Sequence, residues 1–292
     1  PCAFQFRQVF PTNLICSIML MLGSGVETPA LGVQNVNTVT ENPVFTTDSI
    51  SRAPSDEHCS VELSVDYPTD GPQALVDSVR SYIAEEMKSF YMARLDGDGE
   101  PRPATYTGSL ADGKALVDFH AEHLLADIQD IYKSVYGDDK RTDLYMTNQS
   151  SIKKVSENDS IVTYEAGCYQ FEGGAHGLYW LEGTTFRKSD GSRIVIDLDP
   201  FMVDQMQPLL REGLEQYLKD NGSETTVDDL VNGGTFMSDG QIPLPSSNPY
   251  LTADGVKFVY QEFEIGPHAL GLPTFTIPLE KLKPYLAKPD EE

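Results

Sequence analysis

Apolar and polar positions alternate through residues 60–66 (Ser-Val-Glu-Leu-Ser-Val-Asp), the period of a half-buried strand. The turn-forming cluster Tyr67-Pro-Thr-Asp-Gly-Pro72 ends that run. From Gln73 the period changes. Leu75, Val76, Val79, Ile83, Met87, Phe90 and Tyr91 recur at helical spacing until the Gly/Pro-rich stretch 96–103 breaks it. A second helix is predicted over 112–136, with Leu116, Phe119, Leu124, Ile128, Ile131 and Val135 on its apolar stripe. Residues 145–147, 151–156 and 161–171 then read as successive strands. Residues 178–186 and 193–196 form a hairpin about Lys188-Ser-Asp-Gly191.

Asp197-Leu-Asp-Pro200 has the acid and proline of a helix start. Met206, Leu209, Leu210, Leu214, Tyr217 and Leu218 continue that helix, and Asn221-Gly222 closes it. After a polar loop at 233–250 come strands at 255–260 and 274–277, with a short strand through Phe263 and Ile265 between them. A terminal helix is predicted at 279–286. Hairpins with segregated helices predict an α+β fold: antiparallel sheets with helices packed on one face, in two closely associated subdomains. Their expected bounds are 59–160 and 161–288.

The first 58 residues read differently. An apolar run at 14–23 is too short to span a bilayer, and Thr28-Pro29-Ala30 supplies a cleavage point, so 1–30 reads as a signal peptide. Residues 31–58 are rich in Thr, Ser, Asn and Pro and read as a linker. No later segment is apolar enough to span a membrane. An exported chain leaves Cys59 and Cys168 outside the cytoplasm, where they could form one disulfide.

Composition narrows the partners. The formal net charge of −24 argues against nucleic acid and anionic lipid, whose phosphates are held by Lys and Arg. It leaves a basic protein open.

Two histidines sit among glycines after aromatic-rich strands, in Glu172-Gly-Gly-Ala-His-Gly177 and in Glu264-Ile-Gly-Pro-His268. The first motif is followed by the turn Asp190-Gly191 and by Ile196-Asp-Leu-Asp-Pro-Phe201. The second is preceded by the strand 257–260 and followed by Gly271 and Ile277-Pro-Leu-Glu-Lys-Leu-Lys-Pro-Tyr285. Taken together, residues 160–287 resemble the RsiV-like extracytoplasmic domain family, and the region from Ser60 resembles the module that often precedes it. The resemblance implies a bacterial envelope module, whose best-known role is binding a host-type lysozyme. Two departures stand out. No anti-sigma segment or polysaccharide deacetylase motif accompanies the domain, and His268 takes the place of the aromatic residue that follows the motif's proline.

The expected function is therefore an extracytoplasmic module that binds a cell-wall glycan or a basic protein such as lysozyme. Its contact surface is expected to comprise His176, Tyr179, Trp180, Pro267 and His268. The alternatives are a cell-wall hydrolase or deacetylase using His176 with a nearby carboxylate, and a purely structural module. No catalytic residue, cofactor or metal set is assigned, because other patterns have simpler explanations. His120 and His123 share a helix face without a third ligand. Asp96, Asp98 and Glu100 lack the glycine and the distal acid of a calcium loop. Asp197 and Asp199 serve a helix start. Cys168, within a strand pattern, reads as a buried thiol rather than a nucleophile.

Overall fold

The computed structural model describes residues 44–93, 100–137, 144–233, 236–237 and 240–287. The expected signal peptide, residues 31–43 of the expected linker, and Asp96 and Asp98 of the acidic loop lie outside the described residues.

Six strands form one sheet in chain order: β1 (Thr46–Arg52), β2 (Cys59–Asp70), β3 (Met146–Glu157), β4 (Ile161–Phe171), β5 (Leu178–Arg187) and β6 (Arg193–Ile194). Neighbours are antiparallel except β2 and β3, which run parallel. That one pair departs from the antiparallel pairing expected and found elsewhere, since alternation within a strand is blind to the direction of its neighbour. A parallel pair needs a long crossover, here filled by α1 (Gln73–Glu86) and α2 (Gly113–Tyr136). Asp112 starts α2 by accepting the Ala115 N–H at 2.9 Å.

Both helices pack on one face of the sheet. Leu75, Val79 and Ile83 of α1 and Leu116, Leu124 and Ile128 of α2 close over Val61, Leu63 and Val65 of β2 and Val162, Tyr164 and Ala166 of β4. β1 lies inside the expected linker. Its sequence, TTDSISR, buries no apolar side chain fully, so composition hides it. The two strands expected at 145–147 and 151–156 are one strand, β3. The polar residues between them are accommodated because Asn148, fully buried, donates its Nδ2 to the Phe90 carbonyl at 2.7 Å.

The chain then builds a second core. Asp199 caps a 3₁₀ turn, Pro200–Met202, which leads into α3 (Val203–Asp220) and the short α4 (Val227–Asn232). A three-stranded antiparallel sheet follows: β7 (Tyr250–Leu251), β8 (Val256–Val259) and β9 (Thr274–Ile277). α5 (Leu279–Leu282) comes last. Met206, Leu210 and Leu214 of α3 pack with Val256, Phe258 and Ile277. The strand expected through Phe263 and Ile265 is absent. That segment is a turn, with Phe263 in the left-handed region at φ 64°. The fold class is α+β. The position 160/161, expected to part the subdomains, falls between β3 and β4, adjacent antiparallel strands of one sheet.

The small sheet docks on the face of the large sheet that the helices leave open. Leu251 O accepts from Thr163 Oγ1 (2.7 Å), and Leu251 N–H donates to Thr185 Oγ1 (3.1 Å). Tyr250 lays its ring on Gly183. Lys257 Nζ and the Tyr250 hydroxyl both donate to Glu165 Oε1, at 2.7 and 2.8 Å. Among the described residues no helix is long and apolar enough to cross a membrane.

Candidate binding site

The β4–β5 loop carries the first histidine motif, and two of its glycines have visible reasons. Gly173 is left-handed at φ 82°. Gly177 lies directly beneath the Tyr169 ring, where a Cβ would collide with it. Gly174 has open space around it. The result is a narrow turn that holds the His176 ring outward, its Nδ1 paired with the Gly177 carbonyl at 3.0 Å.

The second motif is braced from two sides. Glu264 accepts the N–H groups of Gln261 (2.7 Å) and Ser246 (2.5 Å), fixing the turn at Phe263. The hydroxyl of Tyr217, on α3, donates to the Leu270 carbonyl at 2.7 Å, holding the 3₁₀ turn His268–Leu270 that begins after Pro267. Desolvation raises the Glu264 carboxyl above its ordinary range, with the two N–H donors opposing that shift.

Those two constructions bring the histidines together. The His176 and His268 rings stack with centroids 3.8 Å apart and planes inclined by 16°. Phe263 completes the group, its ring centroid 6.0 Å from His176 and 5.9 Å from His268. Phe263, Pro267 and His176 are exposed, and His268 is half-buried. The result is a small patch of ring faces, contributed by both sheets and open to solvent. Beneath it, His268 Nδ1 faces the nearly buried carboxylate Oε2 of Glu262 at 3.4 Å. Sequence reasoning missed Glu262. Its only signal is an acid beside the turn, six residues before the histidine.

The other expected contact residues separate. Tyr179 and Trp180 are neighbours on β5 and so point to opposite faces. Tyr179 lies half-exposed on the open face, its hydroxyl over Gly167. Trp180 turns toward the helices and stacks on Phe90, centroids 5.7 Å apart, so it does not join the histidines. Of the five expected contact residues, His176, Pro267 and His268 lie together with Phe263, while Tyr179 and Trp180 lie apart from them.

The remaining chemical candidates are accounted for locally. Cys59 and Cys168 are buried free thiols, each pushed up to about 12 by burial. Cys59 pairs with Met146 and Cys168 with Ser150, so strand β3 lies between them and a disulfide is out of reach. A thiol so raised is no nucleophile. His120 is buried, its Nδ1 3.3 Å from the Tyr91 hydroxyl, and desolvation lowers its pKa to about 4. His123 pairs with the Phe119 carbonyl at 2.8 Å. No group of three or more His, Cys, Asp or Glu residues placed to hold a metal occurs among the described residues.

Residues 199–280 match the model of a family described as a protein of unknown function, DUF3298. That span begins at the Asp199 cap and includes α3, the small sheet and His268, but not His176. A crystal structure of a DUF3298-family member from Bacteroides fragilis superposes on 85% of this chain and 96% of its own, with a TM-score of 0.61 at 20% identity. A DUF3298-family protein from Pseudomonas aeruginosa matches 84% of this chain and 94% of its own at 15% identity, with a TM-score of 0.48. No curated protein matches the chain. The Bacteroides likeness carries the fold, a six-stranded and a three-stranded sheet with helices, and no activity.

Proposed function

We propose that this chain is an RsiV-like, extracytoplasmic module of a bacterial envelope that binds a cell-wall glycan through the ring patch of His176, His268 and Phe263. The observation that carries this reading is the stacked pair of the exposed His176 and the half-buried His268, supplied by both sheets. Flat exposed ring faces with polar edges suit the alternating apolar and hydroxyl faces of a sugar. The leader-like segment at 1–30 and the motif Glu172-Gly-Gly-Ala-His-Gly177 support the envelope setting. Pull-down on insoluble peptidoglycan tests the proposal, with lysozyme as a second bait. The wild type is expected to bind the glycan, and His268→Ala and Phe263→Ala to bind about tenfold more weakly with unchanged circular dichroism. Equal retention of all three proteins sinks the patch. Retention by lysozyme alone moves the reading to a basic protein, which the charge of −24 favours at encounter.

A hydrolase is the second reading, favoured by the proximity of Glu262 Oε2 to His268 Nδ1 at 3.4 Å, since a carboxylate beside an imidazole is the starting arrangement of a general-base apparatus. Turnover of peptidoglycan fragments that disappears in Glu262→Gln would establish it. Absence of turnover by the wild type removes it.

A further inference from the structure

A separate groove lies away from the histidines, along the outer side of β9. The small sheet has the order β7-β8-β9, so β9 is an edge strand. Its hydrogen-bond phase follows from one contact. Tyr260 N–H donates to the Pro273 carbonyl at 2.9 Å, making Tyr260 and Pro273 a hydrogen-bonded pair. In an antiparallel ladder such pairs alternate with non-bonded ones. Phe258↔Phe275 and Val256↔Ile277 therefore exchange bonds, while Val259↔Thr274 and Lys257↔Thr276 do not. The N–H and C=O groups of Thr274 and Thr276 consequently point outward.

These outward groups open onto a groove of about 560 Å³ between β9 and α3. Leu209, Gln216 and Asp220 form its helical wall, spaced so that they share one helix face. The wall runs from apolar at Leu209 to anionic at Asp220. Glu212 adds a carboxylate that Lys281 meets at 3.5 Å. An exposed strand edge beside a helix is the arrangement in which an extended peptide adds as a further strand, with backbone bonds giving affinity and alternate side chains giving selectivity. Asp220, which accepts from Gln216 Nε2 at 2.6 Å, and Glu212 outweigh Lys281 in the groove, and with the chain charge of −24 they favour a basic segment.

We propose that this groove binds an extended, basic segment of a partner protein as a fourth strand on β9. The proposal does not depend on the ring patch, which lies on other elements. The probe is a fluorescent peptide of alternating valine and threonine with a lysine at each end, titrated against the full chain at physiological salt. A twin peptide, methylated at alternate backbone nitrogens, keeps the charge and removes the donors. The plain peptide is expected to bind and the methylated twin to bind about tenfold more weakly. Asp220→Lys should weaken the plain peptide by about threefold, and Thr276→Pro, which removes one outward N–H, by about tenfold. Amide exchange at Thr274 and Thr276 should slow only with the plain peptide. Equal binding of the two peptides, or binding with unchanged exchange at β9, overturns the proposal. A peptide-free dimer that Thr276→Pro dissolves also overturns it, because the edge would then be filled by a second copy.

Discussion

Gln261 hydrogen-bonds Leu181 twice, its Nε2 donating to the Leu181 carbonyl at 2.8 Å and its Oε1 accepting the Leu181 N–H at 3.2 Å. A side-chain amide thereby takes the place of a strand residue on the stretch of β5 that β6 does not cover. Gln261→Ala should cost about 1–2 kcal/mol in urea-melt stability, the worth of two such bonds. Gln261→Glu keeps an acceptor but turns an oxygen toward the Leu181 carbonyl, so it should be at least as destabilising. A variant as stable as the wild type in both melts would mean that the pairing is energetically idle.

Glu86 gives a pH dependence of definite sign. Burial, followed by the neighbouring carboxylate of Glu182, raises its pKa from 4.5 to about 7, against the pull of Arg193. The folded state holds this proton after the unfolded chain has lost it. Stability from this group is full below 4.5 and is lost as pH rises through about 7. Glu86→Gln should remove on the order of 2 kcal/mol of that decline, read as a flatter curve of Tm against pH. Parallel curves for the variant and the wild type would refute it.

His120 acts on the acid side. Its pKa falls from 6.5 to about 4, chiefly by desolvation and then by the charges of His123 and Lys88. Its contribution is present above 6.5 and is lost as pH falls toward about 4. His120→Gln should cost stability at neutral pH yet lose less than the wild type on acidification, measured by urea melts at several pH values.

The thiols supply a chemical check. With Cys2 and Cys16 replaced by serine, Cys59 and Cys168 should resist a disulfide-exchange reagent in the native protein and react fully in denaturant. An oxidised pair in protein purified without reductant would contradict the strand order.

Much of the fold was legible because local signals agreed with tertiary demands. Asp112 at the start of α2, Asn221-Gly222 at the end of α3, and Lys188-Ser-Asp-Gly191 at the hairpin mark their elements by backbone chemistry alone. β1 was not legible, since a polar edge strand is recognised only by its partner. α4 has six residues and rests on the Thr226–Asp229 capping box, a signal that the surrounding polar residues mask. The turn at Phe263 imitates strand alternation, while its positive φ leaves no trace in a phenylalanine. Within the site, convergence of His176 and His268 required knowing how the sheets dock. The separation of Tyr179 from Trp180 required only the two-residue period of a strand.

The parallel pairing of β2 with β3 bears on how this chain can fold as it is made. Ser60 Oγ donates to Thr147 Oγ1 at 2.8 Å across 87 residues of sequence, so β2 waits for both helices before its second neighbour exists. During that interval the β1–β2 hairpin and two amphipathic helices have one edge of the sheet uncovered. Substitutions in the crossover should therefore act first on yield and aggregation during synthesis, even where the finished protein tolerates them.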